Sequence, residues 1–206
     1  MDLYFSPLAC SLASRITVYE AGAEDKVTLR PVNTKTRQTA DGGDYLAVNP
    51  LGLVPALRMA DGGILTENAA ILPFLADQFP DKQLAPAGGL ARSRLTQWMG
   101  FISSELHKAL FTPLLSAKAP AEAKAYALEA APAKLAYLDA YLTGREFLLD
   151  RFTVADAYMT TVLNWAQFVK IDLKAWPAVA DYFARMTARP QVAWAMKEEF
   201  GLYQAA

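Results

Sequence analysis

Hydrophobic and polar positions follow two different rhythms along the chain. Through residues 1–80 short β-type runs alternate with helical ones, whereas residues 90–206 keep a three-to-four-residue spacing throughout. In the first half "DLYF" (2–5), "KVTLRPV" (26–32), "VPALRM" (54–59) and "ILT" (64–66) predict strands, the last two joined by the turn "ADGG". Pro31 has no N–H for a ladder, which places the second run on an edge or makes it irregular. Between the first two runs Leu12, Ile16 and Tyr19 recur at i, i+4 and i+7, a helix that starts at Ser11 and stops at Gly22. The strand-helix-strand order favours parallel pairing of strands one and two, and the short turn favours antiparallel pairing of three and four. Thr66 is placed to cap a second helix, "NAAILPFLADQF", which Pro73 should bend.

The composition changes at "FPDKQLAPAGGLA" (79–91), whose prolines and glycines read as a linker. Beyond it Leu95, Trp98, Ile102, Leu106 and Ala109 form one apolar stripe, and Tyr126, Ala130, Ala133, Tyr137 and Tyr141 suggest a second, kinked at Pro132. In "FTVADAYMTTVLNWAQFV" the positions Val154, Tyr158, Thr161, Val162, Trp165 and Val169 share a face. Thr153 and Asp156 resemble a capping box there, with Phe152 as its staple. Two shorter helices, near 177–187 and 190–198, complete a bundle. The expected organisation is an α/β unit over 1–80, a linker over 81–90 and an all-helical unit over 91–206.

Composition narrows the function. Of the 206 residues 53% are hydrophobic and the net charge is −1, so the chain has material for a sizeable core. The absence of any basic run excludes a nucleic-acid footprint. No apolar run approaches the roughly 20 residues that span a bilayer, and "MDLYFSPLAC" lacks the features of a signal peptide, so a cytosolic chain without a membrane partner is expected. One cysteine and one histidine exclude an internal disulfide and argue against a protein-only zinc site, so no metal is expected.

Four stretches can carry chemistry. In "SPLACSLASRI" (6–16) Cys10 sits where a strand meets a helix, near free backbone N–H groups and the positive end of the helix dipole, conditions that favour thiolate. A buried structural cysteine is the competing reading. Ser11 can cap the helix or donate to the sulfur. In "VNPLGLVPAL" (48–57) Pro55 begins a strand. If its peptide is cis, Val54 can offer its N–H and C=O to an extended peptide; if trans, it is an ordinary edge proline. In "LTENAAI" (65–71) the N–H groups around Asn68 can receive a carboxylate and Glu67 an ammonium, or the stretch is merely a well-made helix start. In "GFISSELHK" (100–108) Gly100, Ser103, Ser104 and His107 fall on one helical face with room for another body, although a lone histidine is more often a satisfied surface or core residue.

Taken together these pieces resemble the soluble glutathione transferases, and specifically their bacterial beta class. "LYFSPLACSLASRI" is similar to that class's N-terminal signature, "DYLAVNPLGLVPAL" to its cis-proline loop, "LTENAAI" to its γ-glutamyl site, "FISSELHK" to its histidine helix and "FTVADAY" to its capping motif. The resemblance runs from residue 1 to about residue 200. It implies a thioredoxin-like N-terminal domain, an all-helical second domain and a homodimer. It also implies glutathione as co-substrate with no other cofactor, and a hydrophobic electrophile as the second substrate. Glutathione would meet Glu67 and Asn68 with its γ-glutamyl end and Val54 beside cis-Pro55 with its cysteinyl backbone. Its glycyl carboxylate would meet Lys35 or Arg37, with Arg37 preferred, and Gly100 and Ser104 lie at further contact positions. Cys10, His107 and Ser11 would surround its sulfur, while Phe111, Trp165 and Phe168 would wall the acceptor pocket. The expected reaction is conjugation through the glutathione thiolate, with a capacity for disulfide exchange at Cys10. A non-catalytic carrier of hydrophobic ligands and a glutathione-dependent disulfide reductase or dehalogenase are the alternatives. Gly100 stands where the class commonly has asparagine, Arg15 replaces a common histidine, and Asn68 a more usual serine or glycine.

Overall fold

The computed structural model describes residues 1–205. Strand β1 (Asp2–Phe5) pairs in parallel with β2 (Thr28–Asn33) through the crossover helix α1 (Leu12–Ala21). Leu12, Ile16 and Tyr19 are buried as the spacing requires, and Gly22 stops the helix at φ 61°, a left-handed conformation that glycine adopts without penalty. On the other side β1 pairs antiparallel with β4 (Ala56–Arg58), which pairs antiparallel with β5 (Ile64–Thr66). A two-residue strand, β3 (Gln38–Thr39), joins β2 beyond Pro31, giving the order β3-β2-β1-β4-β5. The proline-bearing strand is thus one place in from the edge, because β3 is short enough to pair only with Val32 and Asn33. Helix α2 (Asn68–Gln78) carries Pro73 inside it. Its N-cap is Glu67, not Thr66, and Glu67 takes φ 68°.

The second half begins with α3 (Gly89–Phe101). This helix does not continue as an α-helix: residues Ile102–Phe111 wind as a π-helix before one further turn, α4 (Thr112–Leu115). The wider winding moves the apolar stripe, so Leu95, Trp98, Ile102 and Leu106 are buried as expected but Leu110, not Ala109, completes the face. Helix α5 (Ala121–Leu142) buries Ala127, Ala131, Leu135, Leu138 and Leu142. The expected stripe one position away is therefore corrected: Tyr126 and Tyr137 are exposed, and the aliphatic face packs inward. Helices α7 (Pro177–Thr187) and α8 (Pro190–Gln204) follow, the latter running past the expected end at 198.

Helix α6 (Val154–Leu163) is buried at all ten positions and packs against α1, α2, α3, α7 and the π stretch. It ends six residues short of the expected Val169, where the chain tightens into a 3₁₀ turn over Asn164–Phe168. At its start Asp156 accepts from the Leu148 N–H at 2.9 Å, the Thr153 N–H at 2.8 Å, the Thr153 hydroxyl at 3.0 Å and the Tyr182 hydroxyl at 2.8 Å. Burial pushes this carboxyl up, while these donors pull it down. Replacing Asp156 with Ala orphans several buried donors at once and should lower the unfolding free energy by about 4 kcal/mol, read as a lower urea midpoint at unchanged slope.

Candidate functional site

The β1–α1 connection is a tight loop pinned from several sides. Ala9 N–H donates to Ser6 C=O at 3.1 Å and Leu12 N–H to Ala9 C=O at 3.0 Å. The Ser11 hydroxyl turns back on Ser6, donating to its C=O and accepting from its N–H, each at 3.2 Å. Ser11 is therefore a loop clamp with a fully buried side chain, which corrects its expected place as a donor to the sulfur. Asn68 Nδ2 donates to the Cys10 C=O at 2.9 Å, and its Oδ1 accepts from Ser14 at 3.2 Å. The side chain at the start of α2 thus props the cysteine loop.

Opposite this loop the Val54–Pro55 peptide is cis. Tyr45 and Asn49 both donate to the Leu53 C=O, at 2.7 and 2.8 Å, and hold the turn that precedes it. The Cys10 thiol donates to the Val54 C=O at 3.1 Å. Burial pushes that thiol up to about 12. Lys108 and the backbone N–H groups of Cys10 and Ser11 pull the other way, and Glu67 adds to the rise. Desolvation outweighs the helix-start effects that predicted a thiolate, so Cys10 stands as a neutral S–H donor.

His107 faces the same cleft from the π stretch. Its Nδ1 lies 2.7 Å from the Tyr158 hydroxyl, and its ring meets Trp165 edge-on with centroids 4.9 Å apart. Burial, with Lys108 beside it, lowers the imidazole to about 4, so at neutral pH it is an uncharged ring. The π winding separates it from Gly100 and Ser104, which a uniform α-helix would place on its face. Both are exposed and lie outside the cleft, with Ser104 bonded to the Gly100 C=O at 2.9 Å.

The cleft itself encloses about 1540 Å³. Cys10, Val54, Pro55, Glu67, Asn68 and His107 line it. Of the two candidate cations, Lys35 lines it and Arg37 does not. Arg37, the preferred candidate, takes φ 59° and lays its side chain over Gly52, where an added Cβ would be 3.5 Å from Arg37 Cδ; of the two, Lys35 is the one at the cleft wall. Trp165 and Phe168 reach the cleft; Phe111 is fully buried behind Trp165, with ring centroids 6.0 Å apart.

Residues 9–78 match the family described as "Glutathione S-transferase, N-terminal domain", and residues 102–190 match "Glutathione S-transferase, C-terminal domain". The chain is 42% identical over 201 residues to the glutathione S-transferase GstA of Escherichia coli O157:H7, covering 97% of this chain and 98% of that protein. The chain belongs to the glutathione S-transferase family. Among solved structures it resembles a sphingomonad glutathione S-transferase complexed with glutathione, at TM-score 0.91 and 45% identity over 97% of this chain and 98% of that one. A bacterial beta-class glutathione S-transferase of Sphingomonas chungbukensis matches at TM-score 0.91 and 43% identity, with the same coverage of both.

Two cleft residues of this glutathione S-transferase family member escaped the sequence reading. Lys108 follows His107 in the very motif that drew attention, and its charge acts on both the Cys10 thiol and the His107 ring. Tyr158 falls on a core stripe in the sequence pattern, and only the tertiary meeting of α6 with the π stretch reveals it as the histidine's partner.

Because the chain has one histidine, its titration is directly readable. The imidazole resonance should titrate near pH 4, well below the ordinary 6.5. The unfolded chain then binds the proton more readily between those values, so the stability tied to His107 is present above about 6.5 and is lost as the pH falls toward 4. A histidine titrating near 6.5 in the folded protein contradicts the site described.

Proposed function

We propose that this chain conjugates the glutathione thiolate to hydrophobic electrophilic small molecules, with residues 1–80 binding glutathione and residues 91–206 supplying the acceptor pocket. One observation carries the reading: Cys10, Val54 at a cis peptide, Glu67 and His107, drawn from four separate motifs, line one cleft. Its relatives support the chemistry, since GstA is named a glutathione S-transferase and the sphingomonad structure is described as complexed with glutathione.

In this reading the exposed Glu67 carboxylate receives the ligand's ammonium, and the free N–H groups at the start of α2 receive the neighbouring carboxylate. Lys35, held by an Asx turn in which Asn33 Oδ1 accepts from the Lys35 and Thr36 N–H groups, meets the glycyl carboxylate. At the sulfur the chain supplies a neutral Cys10 S–H, a neutral His107 ring and the positive Lys108. Donors and a cation lower the cost of a thiolate without competing for the electrophile. The glutathione thiol loses its proton to solvent, its sulfur forms a bond to the electrophilic carbon, and the leaving group departs with the electrons of the broken bond. A protonated Cys10 is a poor attacking group, so disulfide exchange is the minor capacity at neutral pH. Trp165, Phe168 and the apolar rim residues Leu115 and Leu202 furnish a surface for the acceptor. A cytoplasmic homodimer belongs to the same proposal, with Leu51, Leu90 and Tyr126 among the exposed apolar side chains that a second copy could cover.

Conjugation of glutathione to a chlorinated nitroaromatic tests the reading, and no turnover above background at saturating glutathione would sink it. Lys35→Ala should raise KM for glutathione about fivefold, ~1 kcal/mol, at little change in kcat, whereas Arg37→Ala should leave both within about twofold. Cys10→Ala should retain conjugation and abolish any disulfide reduction. Loss of both together would make Cys10 indispensable to the transfer itself.

A further inference from the structure

Leu8, two residues before Cys10, takes φ 58°, a left-handed conformation that costs a branched, non-glycine residue roughly 1–2 kcal/mol. The loop therefore needs outside support. That support comes from the far end of the chain. The Leu8 N–H donates to Glu199 Oε2 on α8 at 2.7 Å, and the Leu8 C=O accepts from the Trp165 indole N–H at 2.8 Å. Both polar groups of one strained residue are satisfied by side chains of the helical half.

Glu199 is completely buried. Its second oxygen, Oε1, has no hydrogen-bond partner, and neither does Nη1 of the buried Arg15, 3.8 Å away on α1. Arg15 spends its other donors on the Tyr19 hydroxyl, at 2.9 and 3.1 Å, and on Glu198, and its guanidinium lies 5.2 Å from the Phe5 ring centroid at the end of β1. An ion pair that leaves an atom of each partner unsatisfied is a poor reason to bury a carboxylate. The short bond to Leu8 is the better one. Burial pushes the Glu199 carboxyl up to about 8, with the Leu8 N–H and Arg15 opposing the rise, and a neutral acid can still accept at Oε2.

We infer that Glu199 is a positioning residue for the cysteine loop, acting by reach more than by charge: its carboxyl holds the Leu8 N–H and so sets where Cys10 presents its sulfur to the cleft. The inference deepens the reading of the cleft as a sulfur site. Its test needs neither glutathione nor turnover, so its failure and the failure of the proposed function are separable.

The chain's single cysteine makes the readout specific, since a soluble haloacetamide alkylates Cys10 and no other thiol. Glu199→Asp keeps the carboxyl but is one methylene too short for Leu8, and Glu199→Gln keeps the reach but removes the ionisable group. The Asp variant should alkylate on the order of tenfold faster than the unaltered protein, with its pH-rate curve displaced toward an ordinary thiol, while the Gln variant stays within about twofold. Melting curves recorded alongside establish that each variant is folded. Unchanged alkylation in the Asp variant, whatever its melting temperature, would make Glu199 a structural strut only. A Gln variant that alkylates as fast as the Asp one would assign the effect to the Arg15 pair. Either result overturns the inference. On the unaltered protein the Leu8 amide should be protected from hydrogen exchange, and exchange at the rate of a free loop overturns it independently of any variant.

Discussion

A helix with no solvent face must be surrounded, and α6 sets that constraint for the whole molecule. Its ten buried residues demand neighbours on every side, and α1 and α2 of the sheet half supply them as fully as the helical half does. Fully burying each larger apolar side chain stabilises by roughly 1.5–3 kcal/mol, so the two halves share one core across the 79–91 segment. The start of that helix is held by a buried carboxyl with four donors, its middle places Tyr158 in the cleft and the 3₁₀ turn after it places Trp165 there. The cleft is thus a seam of the core, and its walls inherit the rigidity of what lies behind them.

Desolvation is the second consequence of the same packing. A helix start, two backbone N–H groups and a nearby lysine all favour a thiolate at Cys10, yet burial carries the thiol from 9.0 up to about 12. That rise is net of the opposing lysine and backbone N–H groups, so removal from water outweighs them and the neutral form is favoured. The histidine moves by the same cause in the opposite direction and also becomes neutral. The cysteine whose setting in the sequence favours thiolate and the lone histidine are, in place, two uncharged hydrogen-bonding groups, with Lys108 and Glu67 as the charges acting nearby.

What could be read from the sequence followed from local rules. The positions of the four main strands, the first helix with its glycine stop and the Thr153–Asp156 box are each encoded within a few residues, and the structure places them accordingly. The π-helical stretch carries no local mark, so a period of 3.6 continued through residue 109 puts Ala109 on the apolar face and Gly100 and Ser104 on that of His107, whereas all three are exposed and none lines the cleft. Counting along a loop does not reveal the positive φ at Arg37 that turns its side chain over Gly52 while Lys35 lines the cleft. Ser11 sits in a motif that drew attention for chemistry, but its hydroxyl closes a turn. In each case the residue type was noticed and its direction was not.

The contacts that join distant parts of the chain were beyond any local rule. Glu199 lies 191 residues from the amide it holds and Trp165 lies 157 from the carbonyl it caps, and neither spacing has a signature. Yet these contacts bear on the one loop whose backbone is strained and whose cysteine faces the cleft. A β1–α1 turn that paid for its left-handed residue locally would use glycine at position 8; leucine there makes the turn depend on the helical half being docked. The placement of the sulfur site is for that reason a property of the assembled core, and the motif that announces it in the sequence is only the part of it that happens to be contiguous.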